Sequence, residues 1–187
     1  TKIGVYALLR VYTTIFGETA GPLAGLGMNW LWPFGLATIM LGAIGVMASQ
    51  DFRKLVANLV IVSVGTLVCL VAMQNTAAAA AVLYYTVHST LVTGALFLLA
   101  DLIATQRGKA GDRLVSGRRV AQPVLLGSLF FMAAITVAGL PPLSGFVAKF
   151  SILHSLLDSS AAQAPLWVRW IILTLLLVAS ILKLKSM

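Results

Sequence analysis

A single lysine, Lys149, interrupts an almost wholly apolar stretch that runs from Pro123 to Leu157. As one continuous helix, this stretch would be ~52 Å long, whereas the hydrocarbon core of a bilayer is ~30 Å thick. Two successive prolines near its middle break the helix, because proline lacks a backbone donor and clashes with the preceding turn. The pattern therefore predicts two half-helices joined by an irregular segment. The break is expected at Gly139, Pro141, Pro142 and Gly145.

The amino-acid composition is that of an integral membrane protein. Of the 187 residues, 60% are hydrophobic and 10% are charged, whereas about 25% of the residues of a soluble domain are charged. The net charge of +8 is distributed among loops rather than gathered on one basic face, so it does not indicate nucleic-acid binding. We expect an all-α polytopic membrane protein with a single membrane domain, residues 1–187.

About six transmembrane helices are predicted, separated by turns with glycine, proline and polar residues. Their approximate ranges are 1–16, 33–48, 55–73, 78–104, 123–157 and 166–187. The first range is shorter than the ~20 residues that cross a bilayer, and Pro33 is well placed to begin the second helix. We expect the chain to be a C-terminal fragment of a longer subunit.

The loops between these helices alternate in charge. Lys and Arg occur in the turn at 49–54, in the loop at 105–122 and in the C-terminal tail. The alternate loops contain neither residue; they are 17–31, 74–77 and 158–165. Because basic loops stay on the cytoplasmic side, the pattern predicts that 49–54 and 105–122 face the cytoplasm.

Burial of Lys149 in the membrane costs at least ~2.5–3.5 kcal/mol, so an intramembrane lysine indicates a functional site. The alternative is that its side chain extends to the outer surface. Asp158, in the next polar loop, is ~13 Å farther along a helix, which is far for a lysine side chain. We therefore favour a buried lysine that takes up and releases protons.

Lys2 and His88 are two further candidates for proton transfer. Lys2 is ~22 Å of helix from Gly17, which would place it near mid-membrane; an interfacial lysine at a helix start is the alternative. His88 lies in an apolar helix, where it is either a relay group that titrates near neutral pH or a hydrogen-bonded packing residue. Tyr84, four residues earlier, shares its helical face, whereas Ser89 is expected to point elsewhere.

Other polar side chains are candidates for the wall of a water-filled path. Ser63 and Thr66 form a strip on the third helix, where hydrogen bonds between helices are the preferred explanation and a channel wall is the alternative. Ser144 follows the double proline. Asp101 lies near the basic end of its helix, where it either pairs with Arg107 or lines the exit route.

The sequence contains none of the usual catalytic signatures. It has no G-x-S-x-G, H-E-x-x-H, Walker or Rossmann glycine pattern. His88 has no second metal ligand at i+3 or i+4, and the one cysteine, Cys69, is expected to pack between helices. We expect a transporter subunit rather than an enzyme, with no cofactor and no metal site.

Four segments together resemble the proton-conducting antiporter-like subunits. They are TKIGVYALLR at 1–10, DFRKL at 51–55, HSTLVTGALFLLADLI at 88–103 and GLPPLSGFVAKF at 139–150. That family includes the D subunit of Mrp-type multisubunit Na+/H+ antiporters and the large membrane subunits of respiratory complex I. The lysine after GLPPLSGF is closer to the Mrp D subunit than to most complex I proteins.

The resemblance implies a fold and a relay. The family has two inverted repeats of five helices with a broken helix in each, and this chain would hold the second half. Lys2 would match the lysine beside the first break, His88 the relay histidine, and Lys149 the terminal lysine beyond the second break. The family's upstream glutamate has no counterpart here, and Val92 stands where many relatives have a lysine.

The resemblance therefore implies a membrane subunit of a monovalent cation (Na+)/proton antiporter in the cytoplasmic (inner) membrane of a bacterium. Its partners would be other subunits of the complex, the lipid bilayer, protons and monovalent cations. The main alternative is a proton-pumping subunit of an NADH–quinone oxidoreductase, driven differently. The other is a structural subunit whose polar residues only pack helices.

Overall fold

The computed structural model describes residues 2–115 and 120–157, and these ranges fold into six α-helices. They are α1 (Lys2–Thr14), α2 (Met28–Ala48), α3 (Phe52–Val71), α4 (Thr76–Arg107), α5 (Pro123–Ala138) and α6 (Ser144–Leu157). Short 3-10 helices at Glu18–Leu23 and Gly108–Ala110 follow α1 and α4. The predicted sixth span and the loop before it lie outside the described residues.

The helices confirm the predicted all-α membrane fold. Three of them, α2, α3 and α4, are long and apolar enough to cross a bilayer, whereas α5 and α6 are shorter apolar helices. The predicted fifth span is broken as expected: α5 ends at Ala138, Gly139 follows in the left-handed conformation, and α6 begins at Ser144. The two half-helices α5 and α6 thus replace one continuous helix.

The predicted start of the second helix at Pro33 is wrong. Helix α2 begins at Met28, after Gly27 in the left-handed conformation with φ 78°, and Pro33 lies inside it. Pro33 is the sixth residue of α2, so it removes the hydrogen bond that an N–H at this position would donate to the carbonyl of Asn29. Helix α4 is also longer than predicted: it begins at Thr76, where the Asn75 side chain caps it by accepting a hydrogen bond from Ala78 N, and it continues to Arg107.

Helices α2 and α3 approach each other closely because glycines line their contact. A Cβ atom on Gly35 would lie 2.5 Å from Cys69 Sγ, and one on Gly42 would lie 2.9 Å from Val62 N. Gly65 faces Ile39 in the same way, with only 2.8 Å between its hypothetical Cβ and Ile39 N. Cys69 is buried in this contact, as predicted.

The core lies around α3, which packs against α1, α2 and α4. Helix α6 packs against α4 and α5, and α4 also contacts α1. The main apolar cluster joins buried side chains of five helices. They include Val5, Ile39, Leu67, Leu70, Val82, Ile152 and Leu156.

The two basic loops are joined at one end of the helices. Phe52 N donates to Asp112 O at 2.8 Å, and Leu114 N donates to Gln50 O at 2.9 Å, which pairs the two loops as a short antiparallel bridge. Lys54 Nζ lies 2.7 Å from Asp51 Oδ2, and this hydrogen bond holds the pKa of Asp51 below its ordinary value. The loops at 49–54 and 105–115 are therefore on the same side, as the alternation of charge predicts.

Candidate functional site

A small cavity of about 30 Å³ lies between α3, α4, α5 and α6. A space of this size holds about two water molecules, since one water needs roughly 10–15 Å³. Its wall combines apolar side chains with hydroxyls, an imidazole and an ammonium group. The lining residues are Leu59, Ser63, Tyr85, His88, Ser89, Val92, Thr93, Val137, Gly145 and Lys149.

Lys149 lies in the second turn of α6 and its side chain returns to the helix break. Its ammonium donates a hydrogen bond to the carbonyl of Ala138, the last residue of α5. The final carbonyls of a helix have no intrahelical partner and form the negative end of the helix dipole, so they favour a cation there. The stem of Lys149 passes over Gly139, whose hypothetical Cβ would lie 2.6 Å from Lys149 Cδ.

His88 joins α4 to the start of α6. Its Nδ1 atom forms a hydrogen bond of 3.1 Å with Ser144 Oγ, the first residue of α6. The ring also lies beside Tyr85, with 6.3 Å between ring centroids. His88 therefore lines the same cavity as Lys149 and is oriented by the helix that carries that lysine.

Lys2, at the start of α1, contacts α4. Its ammonium donates to Ser89 Oγ at 2.8 Å. It also lines a second, open groove of about 580 Å³ between α1, α3 and α4. Since Ser89 lines the small cavity, this hydrogen bond links Lys2 to a residue in the wall of the space that contains His88 and Lys149.

The two candidates on α3 occupy different environments. Ser63 is buried, lines the small cavity and donates to Val60 O at 2.7 Å. Thr66 is buried as well, but it donates to Val62 O and does not line the cavity. Both hydroxyls bond within their own helix, so the preferred explanation, hydrogen bonds between helices, is wrong for these two residues.

The candidate Tyr84 does not line the small cavity. It is 41% exposed on another face of α4, and Tyr85 takes the place beside His88. The expectation that Ser89 points away from His88 is also wrong, because adjacent helical residues are only about 100° apart and both border a cavity of this width. The sequence signal for this face was the i, i+4, i+8 spacing of Tyr85, Ser89 and Thr93.

Asp101 does not line the small cavity either, and it does not pair with Arg107. Its carboxylate lies 2.6 Å from Arg53 Nη2, and its side chain is 65% exposed. Asp101 and Arg107 are six residues apart on α4 and therefore do not face each other. Arg107 instead donates to the carbonyls of Arg113 and Val115.

The described part of the chain offers no metal centre, because no three or more His, Cys, Asp or Glu side chains gather in residues 2–115 and 120–157. The polar groups that line the small cavity are instead one amine, an imidazole and hydroxyls, and a second amine, that of Lys2, donates a hydrogen bond to one of the lining residues, Ser89. Such groups bind and release protons or hydrogen-bond water. The arrangement is suited to moving protons through a membrane helix bundle.

Comparisons with known proteins identify the family of the chain. The family model described as NADH:quinone oxidoreductase/Mrp antiporter, transmembrane, matches residues 1–179. The D subunit of a probable K+/H+ antiporter of Rhizobium meliloti is 36% identical over 100% of this chain and 39% of its own length. The D subunit of a Na+/H+ antiporter of Bacillus subtilis is 40% identical over 81% of this chain and 30% of its own length.

A third relative, the D subunit of a Na+/H+ antiporter of Alkalihalophilus pseudofirmus, is 35% identical over 82% of this chain and 30% of its own length. The chain thus spans between 30% and 39% of the length of these three relatives. The family model matches nearly the whole chain, including both lysines and the helix break. The chain belongs to the NADH:quinone oxidoreductase/Mrp antiporter transmembrane family.

Proposed function

We propose that the chain is part of the membrane subunit of a multisubunit monovalent cation/proton antiporter and that it conducts protons through Lys2, His88 and Lys149. The observation that carries this proposal is a small cavity at a helix break with His88 and Lys149 in its wall, together with the hydrogen bond from Lys2 to Ser89, which lines the same cavity. The names of the relatives, which are D subunits of K+/H+ and Na+/H+ antiporters, support the type of exchange.

The proposed mechanism is a relay through side chains and water. A proton enters at one lysine, crosses the cavity on water molecules and reaches the other lysine. His88 and Ser63 border the cavity and supply hydrogen bonds to that water. Because charges interact strongly in a low-dielectric interior, protonation of one lysine changes the proton affinity of the other. This coupling lets cation movement elsewhere in the complex drive protons through the site.

The topology and the surroundings of the subunit belong to the same proposal. The loops at 49–54 and 105–122 face the cytoplasm, since they carry the basic residues. The membrane is the cytoplasmic (inner) membrane of a bacterium, as the organisms of the named relatives suggest. The partners are the other subunits of the antiporter complex, and the exchanged cation is Na+ or K+.

The proposal is tested by Lys149→Ala in the full-length subunit, assembled in its complex and measured in everted membrane vesicles. Addition of Na+ or K+ to acidified vesicles releases protons, and a pH-sensitive dye reports the rate. We expect Lys149→Ala to abolish exchange, because the variant loses the amine that lies at the end of α5. Lys54→Ala is the matched control, since Lys54 is exposed and pairs with Asp51. Full exchange activity in the Lys149→Ala complex would contradict the proposal.

The alternative is a proton-pumping subunit of an NADH–quinone oxidoreductase, which the description of the family also names. The same residues would conduct protons, but quinone reduction would drive them. Purification of the native complex separates the two: flavin and iron–sulfur subunits would indicate the oxidoreductase, and their absence together with cation-driven proton release the antiporter. A purely structural subunit would keep near-normal transport when Lys2, His88 and Lys149 are replaced one at a time.

A further inference from the structure

Ser89 lies between two cavities that each contain one of the lysines. The small cavity has Lys149 in its wall, and Ser89 lines it as well. The open groove has Lys2 in its wall, and the Lys2 ammonium donates to Ser89 Oγ. Thr93, one turn after Ser89, lines both spaces. One turn of α4 is therefore the partition between the two lysines.

The hydrogen bonds of Ser89 are those that a proton link requires. Its Oγ atom accepts from Lys2 Nζ at 2.8 Å and donates to Tyr85 O at 2.5 Å. A hydroxyl has one donor and two acceptor positions, so a second lone pair remains beside the hydrogen bond from Lys2, on a residue that lines the cavity. Rotation about the Cβ–Oγ bond moves the hydroxyl proton from the Tyr85 carbonyl towards the cavity. The helix backbone does not have to move.

We infer that the Ser89 hydroxyl passes protons between Lys2 and the cavity that contains Lys149. The inference rests on the proposed function and assigns one conducting step to a residue of α4. A Lys2 N–H bond breaks as a new O–H bond forms at Ser89. The original Ser89 O–H bond breaks as its proton moves to a cavity water and then to the neutral Lys149 amine. Lys2 ends neutral, Lys149 ends protonated, and the serine and the water are regenerated.

A serine that only holds Lys2 in place would have the same hydrogen bond, so the test has to separate the two roles. An asparagine at position 89 still accepts a hydrogen bond from Lys2 through its amide oxygen, but it has no hydroxyl that gains one proton and loses another. A threonine keeps the hydroxyl. The two roles can therefore be separated with three variants. Ser89→Ala loses the hydrogen bond with Lys2, Ser89→Asn keeps that hydrogen bond but cannot transfer a proton, and Ser89→Thr keeps both.

The experiment uses the full-length subunit in its assembled complex, with exchange measured in everted vesicles after addition of Na+ or K+ and expressed per assembled complex. Ser155→Ala is the matched control, since Ser155 is a buried helical serine that donates to the backbone, at Ile152 O, and does not line the cavity. We expect Ser89→Ala and Ser89→Asn to lower the maximal rate at least tenfold with an unchanged KM for the cation. Ser89→Thr should stay within threefold of the wild type, and Ser155→Ala should match it.

A maximal rate near that of the wild type in Ser89→Ala or Ser89→Asn would overturn the inference, and so would a Ser89→Thr variant as slow as Ser89→Ala. The outcome is separable from that of the proposed function. Suppose that the wild-type complex exchanges cations and the Lys149→Ala complex does not. A Ser89→Ala variant that remains active would then contradict only the inference about Ser89, and the proposed function would stand. If Lys149→Ala exchanges fully, the proposed function itself fails.

Discussion

Glycines bring helices together at two places in this molecule, and the two places use them differently. At the α2–α3 contact, Gly35, Gly42 and Gly65 let one helix backbone approach the other, and the neighbours are apolar side chains and backbone atoms. At the α5–α6 break, Gly145 lies against the carbonyl of Thr136, while Gly139 lies under the side chain of a lysine. The atoms that face the first three glycines carry no charge, whereas the break is built around a charged group.

The comparison separates a structural use of glycine from a functional one. In a membrane, small residues give helices the close packing that the lipid does not provide, and this explains the α2–α3 contact. At the break, the glycine clears a path by which the Lys149 stem reaches the end of α5. Loss of a glycine should therefore reduce stability at the first place and transport at the second.

The largest effect is expected at the break. In Gly139→Ala, the new Cβ would lie 2.6 Å from Lys149 Cδ and 2.9 Å from Lys149 Cε. The lysine stem must move, and its ammonium then loses the Ala138 carbonyl. We expect cation-driven proton release from vesicles to fall at least tenfold per assembled complex.

Gly108→Ala is the control for backbone strain at the break. Gly108 also has a positive φ, 58°, but a Cβ atom there would meet nothing within 4 Å. Both alanines are strained by about 1–3 kcal/mol, whereas only the one at position 139 meets the lysine. Equal losses of transport in Gly139→Ala and Gly108→Ala would show that strain, and not the position of Lys149, is responsible.

A smaller effect, on stability, is expected at the α2–α3 contact. In Gly65→Ala, the new Cβ would lie 2.8 Å from Ile39 N and 2.9 Å from Gly35 O. These are backbone atoms, which cannot relieve the clash by a change of rotamer, so the helices would have to move apart. Overpacking of this kind costs about 1–3 kcal/mol, so the midpoint of thermal unfolding in detergent should fall by about 5 °C. Transport per folded complex should persist.

Gly94→Ala is the matched change on α4, where a Cβ atom would meet nothing within 4 Å. Alanine is the better helix former, so this variant should be as stable as the wild type or slightly more stable. A Gly65→Ala variant that unfolds at the same temperature as Gly94→Ala would contradict the packing account of α2 and α3.

The smallest effect is expected for Asp101→Asn at the joined ends of the basic loops. The Asp101–Arg53 pair is solvent-exposed, and exposed pairs contribute about 0–1 kcal/mol. The unfolding midpoint should change by less than about 3 °C, less so at high salt, and proton release should stay near the wild-type rate. A several-fold loss of transport would instead support the alternative from the sequence, in which Asp101 lines the exit route for protons.

The sequence predicted the features that depend on local chemistry. A long apolar run with two prolines indicated the break, and alternating charge indicated the shared side of the two basic loops, which the Phe52–Asp112 hydrogen bond now joins. Lysine and histidine in apolar surroundings identified three of the polar groups at the candidate site. These inferences need no knowledge of how helices pack, because burial in lipid and helix breaking act on single segments.

The sequence did not predict which neighbouring residue on one helix faces the cavity. Tyr84 and Tyr85 are chemically identical, and only the rotation of α4 against α3 and α6 brings Tyr85 to His88. The contact between Lys2 and Ser89 depends on the docking of α1 against a helix residue that is 87 positions away along the chain. Pairing of Asp101 with Arg53 likewise depends on two helices meeting.

The central claim is that a hydrated path joins Lys2 to Lys149 through Ser89, and the most direct test is a map of the assembled complex that resolves water molecules. The cavity of about 30 Å³ has Ser63, His88, Ser89 and Lys149 in its wall, and a polar space of this size retains water. We predict about two ordered waters that link Ser89 Oγ to Lys149 Nζ. A cavity that is empty of water, or closed by an apolar side chain between these two atoms, would contradict the account.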